Sequence, residues 1–135
     1  MRKIARILIG IFLAGSSQAQ ERISPEAFLD RAVGQTLTFE LLGTGIVVGR
    51  EEFLNRRLSV WREEGDTCVY GRVTVEDGKL CFLYDDRLDE PPVCWWTFQH
   101  EGQLLVYFAG SGDTEIQEVT RIDKNGLNCP VKPGV

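Results

Sequence analysis

The residues with the chemistry to act are few, and their spacing is unlike that of the familiar catalytic sets. His100 is the only histidine, so no second imidazole is available to share a metal, and with Glu101 and Gly102 it reads as a solvated hairpin turn. Beyond residue 19 the serines are Ser24, Ser59 and Ser111. None stands in a G-x-S-x-G elbow, so a triad hydrolase is not expected. The densest carboxylates are Asp85, Asp86, Asp89 and Glu90. Their D-D-x-x-D-E-P-P spacing lacks the alternate oxygens and central glycine of an EF-hand loop, and it reads as a solvated acidic loop suited to docking a basic partner.

Cysteine arithmetic says more. Cys68, Cys81 and Cys94 are evenly spaced, Cys129 follows late, and no C-x-x-C occurs. That pattern argues against a four-thiolate zinc site and against thioredoxin-like redox chemistry, and for two disulfides in an oxidising compartment. Cys81 and Cys94 flank the acidic loop almost symmetrically, which favours their pairing and leaves Cys68 for Cys129. Four cysteines allow three connectivities, and sequence does not choose among them. No metal or cofactor is expected.

Aromatic side chains concentrate around Trp95 and Trp96, with Phe82, Tyr84, Phe98, Tyr107 and Phe108 nearby. Neighbours in a strand point to opposite faces, so the two tryptophans cannot both enter one core. One of them must line a binding surface or be covered by another element. Trp95 and Trp96, together with Asp85, Asp86, Asp89 and Glu90, therefore form the candidate interaction surface. Arg56-Arg57 beside Trp61 reads as a surface pair.

Positioning these residues requires strands. One helix is expected: Ser24 caps it, Pro25 occupies its first position, Glu26 suits its dipole and Gly34 ends it, with Phe28, Leu29, Ala32 and Val33 on one face. Alternation marks strands at 36–42, 45–48, 57–63, 68–76, 79–84, 93–99, 103–109 and 115–122. Asp77-Gly78 is a strong two-residue hairpin signal, and a turn there sets Val75 opposite Leu80 and Val73 opposite Phe82, so that turn and apolar pattern agree. The fold class expected is mainly β, a small antiparallel meander that is barrel-like or strongly curved, with one N-terminal helix.

Arg2, Lys3 and Arg6, the apolar run from Ile7 to Ala14, and Ser17-Gln18-Ala19 have the form of an export signal cleaved near Ala19. The apolar run is too short to span a bilayer, and no later stretch is long enough. Residues 20–135 then form one domain. Losing three positive charges takes the formal charge from −5 to −8. That balance disfavours nucleic acid and anionic membrane surfaces.

The segment Arg56-Arg57-Leu58 through Trp61, Cys68, the run from Gly71 to Cys81-Phe82 and Tyr84-Asp85, Cys94-Trp95 and Cys129-Pro130 resembles a group of small exported, cysteine-containing proteins of unknown function from alphaproteobacteria. The resemblance covers most of the chain beyond the signal. It implies a periplasmic location and supplies no activity, cofactor or site. The expectation is a non-enzymatic, monomeric binding or interaction module of the periplasm or secreted space. Its partner is then a cationic protein, such as a cell-wall hydrolase that the module inhibits, or a small apolar ligand held as in a lipocalin-like carrier.

Overall fold

A computed structural model describes residues 19–112 and 114–130. The expected export segment lies outside them apart from Ala19. The elements are β1 (Glu21–Arg22), α1 (Pro25–Ala32), β2 (Thr36–Leu41), β3 (Val47–Asn55), β4 (Leu58–Arg62), β5 (Val69–Glu76), β6 (Lys79–Tyr84), a 3-10 turn (Asp85–Arg87), β7 (Val93–His100), β8 (Gln103–Phe108) and β9 (Ile116–Asp123). The β5–β6 turn shows how local chemistry sets the register. Asp77 and Gly78 have φ of 50° and 73°, the left-handed pair that a type I′ turn needs. Glu76 faces Lys79, Val75 faces Leu80 and Val73 faces Phe82, so the apolar residues coincide on one face as the pattern requires.

From β2 onward each strand pairs antiparallel with the next, and β9 returns to pair with β2 from Thr36↔Asp123 to Leu41↔Gln117. Eight strands thus close into an antiparallel barrel, which resolves the expected choice between barrel and curved sheet. Closure satisfies both edges of β2, and bulges in both of its pairings supply the local bend that closure demands. Leu37, Phe39, Phe53, Val73, Phe82, Leu104, Val106 and Val119 fill the interior.

The helix closes one end. Ser24 Oγ accepts from the Ala27 N–H at 3.1 Å, Pro25 opens the first turn, and Phe28, Leu29 and Ala32 are buried. Gly34 N–H donates to Phe53 O at 2.8 Å, and Phe53 N–H donates to Gln35 O at 3.0 Å, fastening the helix exit to β3. Beside it β1 pairs with β7 at Gln99 and Phe98, beyond the last β6–β7 partner at Trp95. His100 departs from the sequence reading. It is the last residue of β7, opposite Gln103, and is half-buried with an enclosed Nδ1. The turn proper is Glu101-Gly102, whose φ values of 49° and 79° again fit a two-residue hairpin.

Two disulfides are present, Cys81–Cys94 and Cys68–Cys129. The first joins residues directly opposite on β6 and β7. The second holds the C-terminal tail against the outer face of β3 to β5. There Leu127 N–H donates to Glu52 Oε2 at 2.8 Å, Arg62 donates to Leu127 O at 3.3 Å, and Tyr70 Oη donates to Pro130 O. No helix among the described residues is long and apolar enough to cross a membrane.

Candidate functional site

The site grows from β3. Its sequence, V-V-G-R-E-E-F-L-N, sends Gly49, Glu51 and Phe53 to the barrel interior, while Arg50 reaches Asp123 outside and Glu52 binds the tail. Strand alternation therefore buries a carboxylate: Glu51 is 2% exposed. Its cross-strand neighbours are Leu37 on β2 and Trp61 on β4. Tyr84, from β6, donates its hydroxyl to Glu51 Oε2 at 3.0 Å. Ser59 approaches from β4, yet neither its Oγ nor Glu51 Oε1 completes a hydrogen bond of ordinary geometry within the protein.

Burial dominates the chemistry of this group. Removal from water raises the Glu51 pKa from 4.5 to about 8, and the nearby Ser59 and Tyr84 hydroxyls only partly oppose the rise. The carboxyl is consequently protonated at neutral pH. Tyr84 is pushed well above its ordinary value, first by loss of hydration and then by Glu51, so its phenol remains a donor.

Two glycines make room for the rings around this pair. A Cβ on Gly49 would collide with the Trp61 indole, and one on Gly71 would lie 2.9 Å from the Tyr84 ring. Both rings lie close against bare backbone, an approach that only glycine permits. Phe39 packs against Trp61 at 6.1 Å, and Phe82 stacks on Tyr84 at 5.8 Å with ring planes 5° apart.

Together these walls enclose a cavity of about 490 Å³, within the range of small-molecule sites. Phe28 of the helix lies at its floor, Trp95 and Val106 complete the walls, and Gln117 adds a polar group. The mouth lies at the end opposite the helix, formed by Glu63, Asp66 and Thr67 after β4, and by Asp86 and Arg87 after β6. Arg87 is the only base lining it among the described residues, and its guanidinium already meets Asp86 at 3.3 Å. Among the described residues no histidine, lysine or cysteine lines the cavity.

The structure divides the surface expected from sequence. Trp95 lines the cavity, edge-on to Phe108 at 5.5 Å, and Asp86 stands at the mouth. Trp96 is on the outside, with the Arg22 guanidinium 4.0 Å and the Lys79 ammonium 5.3 Å from its ring centre, a cation–π arrangement. Asp85 begins the 3-10 turn, and Asp89 and Glu90 are exposed beyond it; none of the three lines the cavity. Among the described residues one grouping has metal-donor geometry, Glu76 with Cys81 and Cys94, but its sulfurs are bonded to each other.

Alternation missed Glu51. The sequence reading ends a strand at Val48 and gives 49–56 no element, whereas β3 runs from Val47 to Asn55. The available signal was phase: Gly49, Glu51 and Phe53 alternate with Arg50, Glu52 and Leu54, and Phe53 marks which set faces inward. No protein-family model, curated protein or solved structure matches the chain.

Proposed function

We propose that this protein is an exported binding module that receives a small, largely apolar molecule through the open end of its barrel. The observation that carries the reading is the aromatic-walled cavity of about 490 Å³ with the buried Glu51 carboxyl inside it. Two disulfides fit an oxidising compartment. The export signal and the resemblance to small alphaproteobacterial proteins favour the periplasm, which N-terminal sequencing of the native protein checks: it should begin at Gln20.

Titration with a neutral apolar fluorophore such as N-phenyl-1-naphthylamine tests the cavity. Dye emission should rise, with energy transfer from Trp61 and Trp95 that weakens in Trp61→Phe and Trp95→Phe. Trp96→Phe should change it least, because that ring is outside. No dye response, with only bare protein in native mass spectra, would sink the reading.

A second reading is docking of a cationic protein on the acidic loop. It is favoured by Leu88, 61% exposed among Asp85, Asp86, Asp89 and Glu90. Salt-sensitive binding of lysozyme, abolished by Asp89→Asn/Glu90→Gln, is its expected sign.

A further inference from the structure

The cavity also specifies a chemical class, and the inference rests on the barrel being a ligand site. We propose that its preferred occupant is an amphipathic organic cation, an ammonium group on an aromatic or alkyl body, with the ammonium against Glu51 and the body between Trp61, Tyr84 and Trp95.

Three independent features converge on this class. The first is Glu51, a carboxyl buried in the lining whose Oε1 has only the Ser59 hydroxyl beside it and completes no hydrogen bond of ordinary geometry. Buried polar atoms are nearly always well paired, so this carboxyl is a lining group to which a ligand can add an interaction. The second is the wall. Indole and phenol faces attract a desolvated cation through their quadrupoles while burying its apolar body. The third is the mouth, where Glu63, Asp66 and Asp86 outnumber Arg87, itself held by Asp86. Such a rim concentrates cations and repels anions.

A neutral hydrogen-bonding ligand satisfies the first feature and leaves the acidic mouth without purpose. An anion is opposed at the mouth and again by Glu51. Only a cation uses all three.

Seating an ammonium beside Glu51 reverses the balance that keeps the carboxyl protonated. The acid gives its proton to solvent, and the carboxylate remains as counter-ion. Tyr84 is the one titratable group that touches Glu51, and its phenol can keep donating to the new carboxylate. From β2 and β4 the carboxyl faces Leu37, Trp61 and Ser59, none of which titrates. The remaining charged groups of the lining are Glu63, Asp66, Asp86 and Arg87 at the mouth.

The test compares three probes on one ring system, 2-(2-naphthyl)ethylammonium, 2-(2-naphthyl)ethanol and 2-naphthylacetate, by calorimetry at pH 7 in buffers of different ionisation enthalpy. The ammonium should bind at least tenfold tighter than the alcohol, with the acetate weakest. Close to one proton should be released per ammonium bound and none per alcohol. Ammonium affinity should rise by up to about tenfold per pH unit as pH approaches 8, with the alcohol's unchanged. Glu51→Gln should erase the advantage of the ammonium, and the proton count in the native protein gives the same information without a variant.

Alcohol binding as tight as ammonium, with no proton released, overturns the cation assignment and leaves the ligand cavity standing. Failure of all three probes, together with failure of the neutral dye, removes the cavity reading and this inference with it.

Discussion

The two ends of the barrel solve opposite problems. At the helix end Phe28, Leu29, Ala32, Phe53 and Leu104 are essentially without solvent exposure, and backbone hydrogen bonds from Gly34 and Phe53 lock the helix exit in place. Burial of apolar surface holds that end shut. At the mouth the lining turns to Glu63, Asp66, Asp86 and Arg87, and an opening cannot be stabilised by filling it. Covalent bonds take over instead. Cys68 immediately precedes β5 at that end, and Cys94 is the second residue of β7, whose first residue lines the cavity. A small barrel with a usable opening has its apolar seal at one end and a disulfide-held tail at the other, while Cys81–Cys94 clamps β6 to β7 part-way along.

The largest expected effect is on the closed end. Phe53→Ala, which removes a fully buried ring touching Phe28 and Phe82, should lower unfolding free energy by about 3–5 kcal/mol in urea titrations. The staples come next. By loop-closure entropy, losing Cys68–Cys129, 61 residues apart, should cost about 4 kcal/mol and losing Cys81–Cys94, 13 apart, about 3 kcal/mol. In hydrogen exchange, paired alanine substitutions at either bridge should loosen 63–68 and 85–92 before α1. Equal loss of protection at both ends would break the comparison.

A third effect comes from the middle of the barrel and is smaller over any single pH unit. Glu51 binds its proton more tightly folded than unfolded, with a pKa of about 8 against 4.5. The folded state therefore holds more protons than the unfolded state between those values. Stability should fall as pH rises across that window, by up to about 1.4 kcal/mol per unit, and level off above pH 8. Glu51→Gln should flatten this slope, as chemical denaturation at pH 5, 7 and 9 would show. The smallest effect returns to the helix end. Arg56 meets Asp30 at 2.8 Å, but both side chains are exposed, so Arg56→Ala should change stability by no more than about 1 kcal/mol.

The meander and its helix were legible because their signals are local. Ser24-Pro25 at one end of α1 and Asp77-Gly78 at the tip of β5–β6 each dictate a backbone conformation by themselves. The opposite faces of Trp95 and Trp96 likewise follow from strand alternation alone. Closure was not legible, since pairing of β9 with β2 joins residues from the two ends of the chain and no local pattern announces it. Glu51 was hidden for a related reason. Alternation puts Glu51 on the face opposite Arg50 and Glu52 in any sheet, but a carboxylate is an unexpected occupant of an apolar face, and its burial follows only once the interior is known to be closed. Tyr84 was visible as an aromatic residue, while its role as a hydrogen-bond donor depended on knowing where Glu51 was.

Gly49 and Gly71 carry a consequence for how such a tube changes over time. Each supports a ring on bare backbone, so the calibre of the lumen at those heights is set by carbon that is missing. One added methyl would push Trp61 or Tyr84 inward and narrow the bore. Neither change removes a donor or acceptor from the hydrogen-bonded wall. The guest list of this barrel can therefore be rewritten one carbon at a time, from behind the rings, while Glu51 stays where it is.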